Sequence, residues 1–552
     1  MDAQSNASEA ALDQARRKRS RLVQTIDPAF PGVRGLRDLW QGWRDYRELW
    51  LTVGLFDIRK RYRRSVLGPF WITISLGAFI LGLGFIYSPL VGGGTASFLP
   101  FVAFGFIAWQ FISQLVLDGC NVFIANGPII QQLQAPLSIY IYQTIWRHLI
   151  ILAHNLLIYV VIALLYGIWP SWQTLHVVPG IILVGVNGVS IGMLLGTLCA
   201  RFRDIPPIVQ TITQMMFLLT PILWRPNQIP GRELFYLLNP FYYLVEIIRA
   251  LGGHGAVAFR LDGGVGHDGG GVRRVALVLL PLPQPHRRLA MRAPMVSVHL
   301  KNVTVSFPIY DTRSRSLKRR AMSVVTGGRV RSDPTGRIST DASHRVSIRA
   351  LDRIDLAIEH GTRIGLVGRN GAGKSTLLRV LAGIYVPESG RVEVVGKAAS
   401  LFGGSLSIDP ELSGRENIEL RGLYLGLSKE EIGKRMDDVI AFTELGPFID
   451  MPFRAYSAGM RARLDFAIST AIQAEILLLD EGLGAGDASF IEKANERLSK
   501  LAEAAGIVVV ATHSEELLRK TCTTAALMEA GRILAAGSVE EVLELYHTSL
   551  AA

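Results

Sequence analysis

The chain has 552 residues, too many for one ordinary domain, with a mean hydropathy of +0.30 and only 19% charged residues. Soluble domains carry nearer about 25% charge, so the apolar excess points to membrane spans and excludes an all-soluble enzyme. The formal charge of +12 is read as attraction to membrane lipid, with no nucleic-acid partner, because the basic stretches adjoin the apolar runs.

Residues 1–30 are polar and then Arg-rich (Arg16 to Arg21), without the apolar core and cleavage site of a signal peptide, so a disordered basic tail is expected. In residues 31–65, Leu36, Leu39, Trp40, Trp43, Leu49, Trp50 and Leu51 alternate with charges, which predicts an amphipathic interfacial helix on the inner leaflet. Residues 66–253 form the predicted transmembrane domain. No Asp, Glu, Lys or Arg occurs from Ser65 to Leu117, enough for two spans at roughly Phe70–Leu90 and Leu99–Leu117. Leu149–Ala200 is likewise uncharged and divides into two more at Trp169 and Pro170; a fifth is expected from about Pro207 to Trp224. Arg59, Lys60, Arg61, Arg63 and Arg64 before the first span, and Arg201 and Arg203 after the fourth, place both points in the cytoplasm. The polar stretch Asn121 to Gln134 joins spans two and three on that side. It is either a segment touching a cytoplasmic domain or an idle loop.

Residues 295–552 read as a nucleotide-binding domain. Gly368-Arg-Asn-Gly-Ala-Gly373-Lys374-Ser375-Thr376 follows the apolar strand Arg363–Val367 and opens a helix, the context of a phosphate-binding loop. The expected nucleotide contacts are Gly368, Asn370, Gly371, Gly373, Lys374, Ser375 and Thr376: backbone N–H groups close around the phosphates, Lys374 reaches the β and γ phosphates, and the Ser375 hydroxyl ligates Mg2+. Ile476-Leu-Leu-Leu-Asp480-Glu481 is a buried strand ending in two carboxylates, Asp480 for magnesium and Glu481 placed to orient or deprotonate the attacking water. Ser457 lies near a helix start able to offer backbone donors to an anion, and His513 follows the strand Ile507–Ala511, within reach of a γ-phosphate.

An ATPase belongs with ATP in the cytoplasm, and five spans starting inside end outside. A sixth crossing is therefore required between Arg225 and Met295. Tyr236–Ile248 is too short and carries Asn239, Pro240 and Glu246. The later apolar run, Val275–Leu282, would reach about 12 Å as a helix against a core of about 30 Å. Residues 254–294 are accordingly assigned as an anomalous linker or degraded sixth span, explained by a single-base frame error near Gly253; a true fusion with an unusual linker is the alternative.

The order of phosphate loop, Ser-x-Gly, Asp-Glu, Gly484-Ala-Gly486-Asp487 and Thr512-His513 resembles the ABC transporter ATPase domain over about Val296 to Leu545. The resemblance implies that Ser457 and Gly459 are a signature motif acting on ATP held by a second copy of the chain. It also implies that Asp487 is the D-loop at the interface of the two copies, His513 the switch histidine, and Phe307 or Tyr310 an adenine-stacking residue. Two departures stand out: the signature reads Ser-Ala-Gly-Met, and Gly404 occupies the usual Q-loop glutamine position. Tyr62-Arg-Arg-Ser-Val-Leu-Gly-Pro69-Phe-Trp71, Thr220-Pro-Ile-Leu-Trp224 and Leu238-Asn-Pro-Phe241 resemble the permease of bacterial O-antigen and capsule exporters. Leu412-Ser-Gly-Arg-Glu-Asn417, Tyr456-Ser-Ala-Gly-Met460 and the basic insert Asp311 to Arg349 resemble the matching ATPase. The expected architecture is an α-helical polytopic membrane domain followed by an α/β P-loop ABC nucleotide-binding domain. The implied function is ATP-driven export of an undecaprenyl-diphosphate-linked polysaccharide across the bacterial inner membrane by two copies of the chain, with ATP and Mg2+, the ATPase lying on the cytoplasmic side. Export of teichoic acid, lipid or drug is the nearest rival; a nucleotide-gated channel or signalling ATPase is disfavoured because Glu481 keeps the catalytic carboxylate.

Overall fold

The computed structural model describes residues 23–26, 31–62, 67–68, 70–91, 94–130, 135–169, 177–225, 236–251, 296–308, 338–340, 346–401, 408–472, 474–480 and 488–551. The linker 254–294, Tyr310, Gly404, Glu481, Gly484, Gly486, Asp487 and most of the insert 311–349 lie outside them.

The amphipathic stretch expected as one helix is two, α1 (Pro31–Arg44) and α2 (Arg47–Tyr62). Both pack on the same membrane helix, and α2 also reaches the carboxy-terminal domain. On α1, Asp38 accepts from the Leu137 and Ser138 amides at 2.8 and 2.9 Å, and so satisfies donors at the start of α6 (Ser138–Leu165). Gly42 permits this approach, since a Cβ there would stand 2.2 Å from Ser138 Oγ. Helix α2 turns its apolar side toward the carboxy-terminal domain.

Among the described residues, α3 (Phe70–Val91), α4 (Gly94–Ala125), α6 and α7 (Val177–Arg201) are long and apolar enough to cross a membrane. Helix α4 is the hub: 83% of its most apolar stretch is buried, against 17%, 28% and 22% for α3, α6 and α7. Gly180, Gly188, Gly192 and Gly196 lie on the buried face of α7. A Cβ on Gly119 of α4 would meet Gly192 Cα at 3.2 Å, the close backbone approach that small residues allow between membrane helices. Helix α4 also runs past Leu117, where the second span was expected to end. It takes in the first five residues of the polar stretch before the single turn α5 (Gly127–Ile130).

The fifth apolar helix, α8 (Ile205–Leu219), is shorter than the span expected to reach Trp224. Thr220 precedes Pro221 and is extended (φ −88°, ψ 133°), the conformation that a following proline favours, so the helix stops there. Helix α9 (Pro240–Leu251) folds back: Asn239 donates to Thr220 Oγ1 at 2.8 Å and accepts from the Phe241 amide at 2.9 Å. Its guanidinium at Arg249 lies over Phe101 near the Gly94 end of α4, 4.1 Å from the ring centre.

The carboxy-terminal domain carries two sheets. One is antiparallel, ordered β1 (Val23–Ile26), β6 (Ser389–Val395), β2 (Ser297–Pro308), β4 (Val346–Ile358), β3 (Ile338–Thr340). Strand β1 falls in the tail expected to be disordered; it is ordered because the free edge of β6 supplies backbone partners. The second sheet runs β11 (Arg532–Ser538), β10 (Thr524–Glu529), β5 (Arg363–Val367), β9 (Ile507–Ala511), β8 (Ile476–Leu479), β7 (Ala398–Leu401), parallel except for β10–β11. Helix α10 (Lys374–Leu381) leaves β5, and Leu377, Leu378 and Val380 fill the core between the sheets. A helical lobe of α11 (Gly414–Tyr424), α12 (Lys429–Thr443) and α13 (Ala458–Ser469) precedes β8. Helix α14 (Ala488–Ala504) joins β8 to β9, while α15 (Glu515–Thr521) and α16 (Val539–Ala551) complete the chain.

The two halves meet where Leu49, Trp50 and Phe56 of α2 share an apolar cluster with Leu420, Leu423 and Tyr424. Ile129 and Ile130 of the short turn α5 pack against this cluster, which favours the contact reading of Asn121–Gln134 over an idle loop. Burial pushes the Tyr424 hydroxyl well above its ordinary pKa, and the nearby Tyr140, Asp57 and Asp409 act in the same direction.

Candidate functional site

The site is assembled at the carboxy ends of three neighbouring parallel strands. Strands β5, β9 and β8 lie side by side. Their apolar residues are buried on both faces, so polar groups can be presented only where the strands end. The phosphate-binding loop follows β5, His513 follows β9 and Asp480 follows β8.

In the loop, Gly368 has φ +153°, and a Cβ there would lie 2.2 Å from the Met528 carbonyl, so a side chain is excluded. Gly373, at φ +110°, caps α10 in a left-handed conformation that turns the chain into the helix. The loop therefore ends on a helix amino terminus, where free N–H groups and the dipole favour an anion. Lys374 is buried and donates to the Gly368 carbonyl at 2.5 Å. Ser375 Oγ lies 3.2 Å from Asp480 Oδ1, and His513 Nε2 lies 2.8 Å from Asn370 Oδ1. Residues separated by more than a hundred positions are thus brought into one cluster. Gly371 and Thr376 lie in the same loop and first helical turn. The Ser375–Asp480 oxygen pair is a suitable hard donor set for Mg2+.

A supporting layer was not foreseen from the sequence. The Gly531 amide donates to the Ala372 carbonyl at 2.9 Å, and the Asp352 amide to the Gly531 carbonyl at 2.8 Å, which ties the loop to β4. The buried carboxylate of Asp352 receives Arg532 Nε at 2.7 Å. Burial works against its charge, but the Arg532 hydrogen bonds, with Arg349 and Arg353 beside it, hold its pKa below the usual value. A lone Asp in a strand gave no signal, because its partner is 180 residues away.

Ser457 and Gly459 are not part of this cluster's strand ends but begin α13 in the helical lobe. Ser457 caps that helix by accepting from the Met460 amide at 3.2 Å. Ser457, Ala458 and Gly459 are exposed, between buried Tyr456 and Leu464, and a Cβ at Gly459 would meet open space. Phe307 is half-buried, with its ring edge-on to Tyr385 at 5.1 Å.

Residues 48–251 match the family described as ABC-2 type transporter, and residues 351–484 the family described as ABC transporter. The O-antigen export system ATP-binding protein RfbE of Yersinia enterocolitica is 42% identical over 239 residues, covering 43% of this chain and 97% of that protein. The O-antigen export system ATP-binding protein RfbB of Klebsiella pneumoniae is 32% identical, covering 46% of this chain and 98% of that protein. The teichoic acids export ATP-binding protein TagH of Lactococcus lactis is 38% identical over 197 residues, 36% of this chain and 42% of that protein. All three matches fall short of half of this chain, which also carries the membrane half. The chain thus belongs to the ABC transporters, with an ABC-2 type membrane domain and an ATP-hydrolysing ABC cassette on one polypeptide.

Proposed function

We propose that the chain is half of an exporter for an undecaprenyl-diphosphate-linked polysaccharide of the O-antigen or capsule kind, working from the cytoplasmic face of the bacterial inner membrane. The observation that carries this reading is the match to RfbE along nearly its whole length. In the proposed chemistry, loop amides and Lys374 hold the ATP phosphates, Glu481 takes a proton from the attacking water, and His513, positioned by Asn370, contacts the γ-phosphate. Ser375 and Asp480 would hold Mg2+, which neutralises phosphate charge when bound. Phe307, buttressed by Tyr385, is the adenine-stacking candidate within the described residues; Tyr310 lies outside them.

The exposed start of α13 is proposed to complete the nucleotide site of a second copy, with Asp487 at the junction. Two chains would then enclose two ATP molecules. Co-assembled Lys374→Ala and Ser457→Arg chains should regain one intact composite site, hence measurable ATPase activity where each variant alone has almost none. A fully active monomer in detergent would overturn this arrangement.

Inside-out membrane vesicles should show ATP-dependent movement of lipid-linked polysaccharide into the lumen, and deletion of the gene should leave undecaprenyl-linked glycan in the cytoplasmic leaflet. Normal surface glycan in the deletion strain, with no second copy of the gene, would sink the substrate assignment. Teichoic acid is the second reading, favoured by the match to TagH. ATPase stimulation by a lipid-linked poly(glycerol phosphate) but not by a neutral lipid-linked glycan would select it.

A further inference from the structure

We propose that Arg147 is a positioning residue that carries movement of the cassette to the hub helix α4, by holding Asp57 on one side and Asp118 on the other. Three observations meet at this side chain. First, α2 is fixed to the cassette at both ends. Glu48 accepts from the Lys429 amide at 2.8 Å, at the amino terminus of α12, and Lys60 pairs with Asp409 at 2.7 Å. Second, Asp57, one turn before Lys60, accepts from Arg147 Nη1 at 3.1 Å and from Gln143 Nε2 at 2.8 Å. Third, Arg147 Nη2 donates to Asp118 of α4 at 2.7 Å, and His148 Nε2 lies 2.8 Å from that same oxygen.

Arg147 sits nine residues into α6, about 14 Å along the helix. It lies at the edge of the apolar run that begins at Leu149, as Asp118 lies at the edge of the run that ends at Leu117, so the pair joins the two helices where they leave the apolar region. The planar fork of arginine allows two carboxylates to be held at once, which a lysine ammonium cannot reproduce with the same geometry.

Magnitudes separate adhesion from transmission. Burial of the apolar side chains between α2 and α11 is what keeps the two halves docked. A partly exposed pair such as Lys60–Asp409 adds little to that adhesion. Breaking the pair therefore leaves the halves docked while loosening the register in which α2 follows the cassette.

The test is hydrogen exchange of the full chain in lipid nanodiscs, with and without ATP plus vanadate, and it needs no assumption about cargo. In the parent, nucleotide should alter exchange both in the loop 368–376 and at the α4 end, residues 121–125. Asp57→Asn and Arg147→Lys leave no carboxylate without a donor. They should keep the loop response and ATP affinity while the α4 response falls about fivefold or more, the scale of residues that carry coupling. Lys60→Asp and Asp409→Lys should each lose the α4 response, and the double swap should restore it. An α4 response that persists in Asp57→Asn, or a double swap that restores nothing, overturns the proposal; because Lys60 and Asp409 are partly exposed, the swap reads out even if the inner variants fold poorly.

Discussion

Glu481→Gln should bind ATP as tightly as the parent and hydrolyse it about 10²–10⁴-fold more slowly, the usual cost of losing one positioned proton acceptor. The expectation follows from where β8 ends. Ile476–Leu479 is buried along its length between β7 and β9, so the chain has no freedom in how it delivers the next residue, Asp480, to Ser375 at 3.2 Å. Glu481 comes one residue later; it lies outside the described residues, and its role is proposed from this position. Glutamine has the same shape and removes only the proton-accepting charge, so nucleotide should be trapped rather than lost. Lys374→Ala should act differently. Its ammonium is buried beside the Gly368 carbonyl, and its removal should weaken ATP binding itself. Equilibrium binding of a fluorescent ATP analogue, read beside phosphate release, separates the two effects. Hydrolysis at the parental rate in Glu481→Gln would remove that residue from the base role.

The sequence was most informative where chemistry is written in consecutive residues. The glycine spacing of the loop, the four-residue apolar run before Asp480 and the strand before His513 each carry local constraints, and the fold brings them together as the motif order implied. What could not be read was any partnership between distant charges. Asp57, Asp118 and Arg147 look like stray polar residues at the edges of apolar runs until α2, α4 and α6 are packed together. Asp352 and Arg532 are similarly mute apart from one another. The split of the amphipathic stretch into α1 and α2 is likewise not written in the sequence, since apolar residues alternating with charges fit one helix or two. What decides is that α1 docks on the start of α6, while α2 packs farther along α6 and also reaches the cassette. Helix ends differ from the expectation for local reasons: Pro221 stops α8 early, while α4 continues to Ala125 with Val122 buried in the cluster shared with the cassette.

Resequencing the gene should reveal a single-base difference near codon 253, and the corrected frame should encode two polypeptides, a permease with a sixth span and an ATPase beginning near Met295. The described residues sharpen the topological argument. Arg249, next to the end of α9, donates to the Pro221 carbonyl at 2.8 Å and lies over Phe101 in the Gly94 half of α4. The cassette meets the opposite end of α4, where Val122 and Phe123 join the cluster around Leu420 and Tyr424. From Phe101 to Phe123 a helix rises about 33 Å, the thickness of a hydrocarbon core. Leu251 and Val296 therefore stand on opposite sides of the membrane domain. The residues between them lie outside those described, and in sequence they carry Arg260, Asp262, Asp268, Arg273 and Arg274, which no single lipid-exposed span would tolerate. The ABC-2 match ends at residue 251, within two positions of the inferred break. RfbE, an ATP-binding protein, is covered along 97% of its length by only 43% of this chain. Expressed side by side, the frame-corrected pair should restore more surface glycan to a deletion strain than the 60.6 kDa single chain does. An unshifted reading frame, together with a single full-length product that exports glycan, would show instead that the fusion is genuine and that the crossing is made by a charged segment for which this sequence offers no physical account.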